Sequence, residues 1–296
     1  MTRPIPLFTL LLILAVPLSL LAGRVWLDPW ETPNAAVILA ELRLPRALLA
    51  VVVGAGLGAA GAALGAVASF WFGYAASAWL LPLFALAGAG GAMALLALIA
   101  GRSAGIALFT LAGMMIASLA GALMSLAISL APNAFAMSEI VTWLMGALTD
   151  RGWAEVHLAA PLTLAGIVLL RLAGPGLDAL TLGEPAARSL GVSPARLQWL
   201  LILGTGLTVG AGVAVAGIVG FVGLIVPHLV RPLTDRRPSA LIVPSALAGA
   251  LLVLVADCVC RVLPLVTELR LGIALSLVGA PFFLWLLLRM RREAWL

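Results

Sequence analysis

Lysine is absent from this 296-residue chain: all 17 of its basic residues are arginine. A phosphate-binding loop of the G-x-x-x-x-G-K-[ST] type needs its lysine to reach the β- and γ-phosphates, so the chain cannot be a P-loop ATPase on its own. Any ATP-driven work has to come from a partner. Histidine is nearly as scarce: His157 and His228 are the only two, and neither belongs to a Ser/His/acid grouping or a metal-ligand spacing. No catalytic constellation, metal site or cofactor is expected. His228, after Pro227, reads as a structural hydrogen-bonder at a helix break rather than a proton relay. The two cysteines, Cys258 and Cys260, are two apart in an apolar helical stretch and point to different faces, which argues for small buried residues rather than a disulfide. Charge is thin as well, at 10% of residues. The net +5 is spread over loops and the C-terminal Arg289, Arg291 and Arg292, without the aromatic interleaving of a nucleic-acid binder.

What fills the chain is apolar. Hydrophobic residues make up 64% and the mean hydropathy is +1.20, too much to hide in a soluble core. Stretches of roughly 17 to 25 apolar residues, enough to cross a bilayer as helix, recur throughout. The reading is an all-α, polytopic membrane helix bundle forming a single domain over 1–296. Spans are expected at 7–27, 47–64, 78 or 81 to 100, 105–130, 154–172, 199–216, 240–262 and 271–288, with a short one at 220–230 and an amphipathic interfacial helix at 135–148. The first is taken as a retained helix, because Gly23-Arg24-Val25 is a poor signal-peptide cleavage site.

Arginine placement sets the expected orientation. Arg102, the polar island 177–198 with Arg188 and Arg196, the segment 231–237 and the C-terminal arginines fall on one face, read as cytoplasmic, with both termini there. Arg43, Arg46, Arg151, Arg261 and Arg270 fall on the other, which hints at an acidic partner outside.

Glycine patterns are read as packing. Gly56 to Gly61 formally matches G-x-G-x-x-G, but no strand precedes it and no acid follows at the right distance. The pairs Gly54 with Gly58 and Gly61 with Gly65 are spacings that let helices approach closely in lipid. Gly217, Gly220 and Gly223 recur every third residue, too densely for a helix interior, so a break lining a cavity is expected there. Asp257 in an apolar stretch is costly alone. Arg261 four residues on supplies an i,i+4 partner.

Several landmarks together resemble one family. They are Leu42-Arg43-Leu44-Pro45-Arg46, Trp143-Leu-Met-Gly146, Leu182-Gly183-Glu184 through Gly191-Val192, Gly220-Phe-Val-Gly-Leu-Ile-Val-Pro227-His228, Ala256-Asp257 and Gly279-Ala-Pro281-Phe282-Phe283. In this order the chain resembles, over nearly its whole length, the FecCD or BtuC-like permease subunits of importers for ferric siderophores, haem and vitamin B12. The resemblance implies about ten spans in the inner membrane and a homodimer of permeases. It also implies two cytoplasmic ATPase subunits and a periplasmic substrate-binding protein. By the same resemblance, 177–198 is the coupling loop, folded as two short helices joined at Gly191, with Gly183, Glu184, Ala187, Arg188 and Gly191 at the ATPase contact. Arg43, Arg46 and Arg261 match the arginines that meet glutamates of the binding protein. Gly54, Gly58, Gly61, Gly65, Gly217, Gly220, Gly223 and Pro227 are assigned to helix packing or the pathway.

Two departures qualify this. Between Leu64 and Tyr74 the family carries about twenty further residues that this chain lacks, so the second and third spans are shortened. The expectation is that residues 47–101 still make three crossings with a tight turn near 65–69, since losing one would put the island outside. Arg270 stands where the family tends to have proline. The rival readings are an ion-driven secondary transporter, which would want acids or histidines at mid-membrane near broken helices and some internal repeat, and a degenerate permease that assembles without transporting.

Overall fold

A computed structural model describes residues 4–21, 91, 94, 106–131, 133–182, 184–235, 237–264 and 267–293. Within them the chain is helical: α1 (Pro4–Leu21), α2 (Ile106–Ser129), α3 (Ala134–Leu144), α4 (Trp153–Leu180), α5 (Glu184–Ser189), α6 (Pro194–Ala216), α7 (Val222–Val230), a 3-10 turn (Arg231–Leu233), α8 (Pro238–Val262) and α9 (Leu271–Glu293). Among the described residues, α4, α6 and α8 are long and apolar enough to cross a membrane. The three crossings expected over 47–101 lie outside the described residues.

The core gathers where α4, α6, α7 and α8 meet. Val215, Val219, Val222, Val253, Leu254 and Leu271 are buried together there, and α1 lays Phe8, Leu12 and Val16 against the same cluster. A smaller cluster of Ala120, Met124 and Ile140 joins α2 to α3. Large apolar side chains such as Met115, Leu164 and Leu277 face outward, the arrangement expected when lipid rather than water is the solvent.

Helix α6 lies closest to α4. A Cβ added at Gly166 would stand 2.6 Å from Thr208 Cγ2 and 2.7 Å from the Gly204 carbonyl oxygen, so the crossing admits only glycine. Thr208 spends its hydroxyl on its own helix, donating to the Gly204 and Thr205 carbonyls. Gly166→Val should therefore destabilise the chain by about 2–3 kcal/mol through overpacking. Gly121→Ala, with open space around it, should change little; melting of the detergent-solubilised chain separates the two.

Two differences from the sequence reading bear on the island. Helix α4 does not stop near 172 but continues through Pro175 to Leu180. Packing carries it on: Gly174 lies against Ser239 of α8 and Gly176 against Leu197 of α6, and such tertiary contacts override local propensity. Likewise the island does not hold two separate short helices. Only α5 is short, and the second is the first turn of α6, started by Ser193 and Pro194.

Candidate functional site

The island begins on the last turn of α4. Thr181 closes that helix, its N–H and hydroxyl donating to the Asp178 carbonyl at 3.2 Å and 2.6 Å. Helix α5 then ends in a Schellman closure: Val192 N–H reaches the Ala187 carbonyl and Gly191 N–H the Arg188 carbonyl. Gly191 takes φ +82 with nothing near its would-be Cβ. Of the five expected ATPase-contact residues, Glu184 opens α5, Ala187 is buried beneath it, Arg188 is exposed and Gly191 terminates it; Gly183 lies outside the described residues. Leu182 and Leu190 flank α5 at 66% and 65% exposure. Beside an exposed arginine, that makes an apolar and basic surface suited to another protein.

A side-chain link also ties the island to α8. The Asp178 carboxylate accepts the N–H of Ser239 at 2.9 Å and its hydroxyl at 2.5 Å. Ser239 lies in the first turn of α8, where a carboxylate both satisfies an orphan N–H and meets the positive end of the helix dipole.

Helix α6 spans about 34 Å at its usual rise, and at its other end three glycines converge. Gly217 sits at φ 73, ψ −159, and a Cβ there would be 2.1 Å from the Trp143 carbonyl oxygen. Gly146 and Gly272 would meet the carbonyl of Ile218 in the same way. Two backbone bonds stitch the segments: Ala147 N–H to Ala216 at 2.8 Å, and Gly272 N–H to Gly146 at 3.1 Å. Next to this knot Phe221 adopts the left-handed φ of 66 and presses on Gly279 of α9, where a Cβ would be 2.4 Å away. The expected break is therefore present, a non-helical stretch between Ala216 and Val222. Of the three glycines, Gly220 stands in open space, while Gly223 lies in the first turn of α7 and, with Pro227, lines a cavity of about 290 Å³ that Thr205, Leu241 and Ser245 also wall.

Asp257 and Arg261 sit toward the same end. Arg261 Nε lies 3.1 Å from Asp257 Oδ2, and both residues are buried. The i,i+4 pair expected from sequence is made. Arg261, also expected to face a binding protein, is at 5% exposure turned into the helix bundle, where its guanidinium meets Cys258 Sγ. The loops beside it are joined by the Thr149 hydroxyl donating to Glu268 at 3.3 Å. Arg43, Arg46, Gly54, Gly58, Gly61 and Gly65 lie outside the described residues.

Asp178 and Ser239 are not among the residues singled out from sequence. An acid in the last turn of a helix opposes its own dipole, but Asp178 occupies such a turn only because α4 runs on past 172 to Leu180. Gly272 gave no signal either, because its need arises only from chain segments far apart.

Residues 11–64 and 59–289 match the FecCD transport family. The chain is 36% identical to the vitamin B12 import system permease protein BtuC of Vibrio cholerae, covering 92% of this chain and 89% of that protein. It is 34% identical to the BtuC of Salmonella paratyphi A over 311 positions, covering 96% and 94%. A solved structure assigned to the metal-chelate type of ABC transporter, in an inward-facing conformation, superposes with a TM-score of 0.87 at 31% identity, covering 96% of this chain and 98% of that one. The 311 aligned positions exceed the 296 residues present, so the match bridges positions this chain lacks. The two family segments meet at 59–64, beside the place where the sequence falls short.

Proposed function

The chain belongs to the FecCD transport family, and from that premise we propose that it is the membrane-spanning subunit of an ABC importer for a large metal chelate. A separate ATPase powers it and a binding protein feeds it. In this reading two copies pair in the inner membrane, the island faces the cytoplasm with both termini, and the glycine knot faces outward. The chain itself hydrolyses nothing. The single observation that carries the coupling role is the island's form: a six-residue helix seated by Ala187 between two membrane-length helices, showing Leu182, Arg188 and Leu190 outward.

The cargo proposed is a corrinoid, ferric siderophore or haem, and cyanocobalamin is the first to try because the relatives above are named for vitamin B12 import. Arg43 and Arg46 are the proposed contacts for acidic residues of the binding protein, with Arg261 joining them only if its pair with Asp257 opens. That pairing also disfavours an ion-driven transporter, which would need Asp257 available to a cation.

The chain purified alone should show no ATP hydrolysis, and adding the ATPase subunit should bring it on. Leu190→Asp with Arg188→Glu should then lose ATPase co-purification by about tenfold or more, as expected for removing anchor contacts from a protein interface. Hydrolysis by the chain alone would overturn the reading. Uptake of labelled cyanocobalamin, ferric siderophore and haem in a permease-deletion strain, by the complemented cells, separates an importer from a permease that assembles without transporting.

A further inference from the structure

We propose that Asp178 and Ser239 form a strut that delivers the island's movement into α8 and on to the far end of the bundle; the proposal rests on the ABC-importer reading above. The link has the form of a fixed joint. Both carboxylate oxygens are engaged by one residue, its N–H at 2.9 Å and its hydroxyl at 2.5 Å. The two helices approach so closely that a Cβ on Gly174 would lie 3.0 Å from Ser239 Cβ. The residue preceding α8, Arg237, makes no side-chain cap bond. Helix α8 therefore takes its cap from α4, across 61 positions of sequence.

The island's exit toward α6 is built differently. Between α5 and α6 stands Gly191, left-handed and with open space around it, a junction that tolerates rotation. A push on α5, which packs against α4, enters α8 where Asp178 holds Ser239. Helix α8 is 25 residues of helix with Pro244 within it, and its other end carries the buried Asp257–Arg261 pair. End-on displacement of α8 thus moves that pair and the loops around it. Asp178 is in this sense a positioning residue: it acts through Ser239 and touches no cargo.

The test uses the full chain assembled with its ATPase in liposomes, carrying Cys258→Ala, Cys260→Ala and a spin label on Val262→Cys, an exposed position at the end of α8. The distance between the labels of the two copies is measured before and after trapping with ATP and vanadate, and ATP hydrolysis is measured beside it. The parent should show a shift. Asp178→Ala and Ser239→Ala should lose most of that shift while continuing to hydrolyse ATP, and Asp178→Asn, which keeps an acceptor for the N–H, should fall between. A full shift in Asp178→Ala overturns the strut. Should Asp178→Ala fail to assemble, Ser239→Ala decides, because it drops only the hydroxyl bond: a reduced shift upholds the proposal and a full one overturns it. A parent complex that hydrolyses no ATP and shows no shift overturns the importer reading together with the strut, whereas a shifting parent with shifting variants overturns the strut alone.

Discussion

Gly217→Ala should remove the folded chain from the detergent-soluble membrane fraction. Its backbone, at φ 73 and ψ −159, lies in a region essentially reserved for glycine, where any other residue costs about 1–3 kcal/mol in strain. The added methyl would also sit 2.1 Å from the Trp143 carbonyl oxygen. That neighbour is backbone, so no rotamer change relieves the clash, and the α3 end would have to move away from α6 and break the Ala147 to Ala216 bond. Together these exceed about 4 kcal/mol, a large part of a typical domain's stability of about 5–15 kcal/mol. Size-exclusion profiles of a fluorescent fusion make the measurement: the monodisperse peak should vanish for Gly217→Ala and persist for Gly220→Ala, whose surroundings are open. Equal peaks would mean that the knot is looser than described.

Asp257→Ala should be the most damaging single change in α8. It takes the carboxylate away from an Arg261 guanidinium at 5% exposure, and breaking a buried ion pair by removing one partner costs about 3–5 kcal/mol. Removing both charges should cost far less, because well-packed apolar replacements avoid desolvating either ion. Asp257→Leu with Arg261→Met should therefore melt above Asp257→Ala and near the parent. A double variant less stable than the single one would reverse this account. The double variant also separates structure from docking: if it is stable yet loses stimulation of ATP hydrolysis by the binding protein, Arg261 meets that protein during the cycle.

Much of this architecture is legible in the residues because its causes are local. Apolar lengths mark α6 and α8, the i,i+4 spacing marks the Asp257–Arg261 pair, and glycine every third residue marks the break before α7. The misread places are those where distant segments decide. Pro175 and its glycine neighbours look like the end of α4, but Ser239 and Leu197 pack against them and the helix goes on. The expected second short helix fuses with α6 because Ser193 and Pro194 favour a helix start and nothing downstream interrupts it. Gly272 and the bond between Asp178 and Ser239 depend on partners more than fifty positions away, beyond the reach of any periodicity.

The glycine knot also bears on how the chain is made. Gly146 emerges from the ribosome well before Gly217, and Gly272 comes last, yet the closing bond runs from Gly272 back to Gly146. Until α9 has entered the bilayer, the broken segment and the left-handed Phe221 lack the surface that holds them. A chain halted before α9 thus lacks the Gly272 N–H that the Gly146 carbonyl accepts and the Gly279 surface on which Phe221 rests, so the knot closes last.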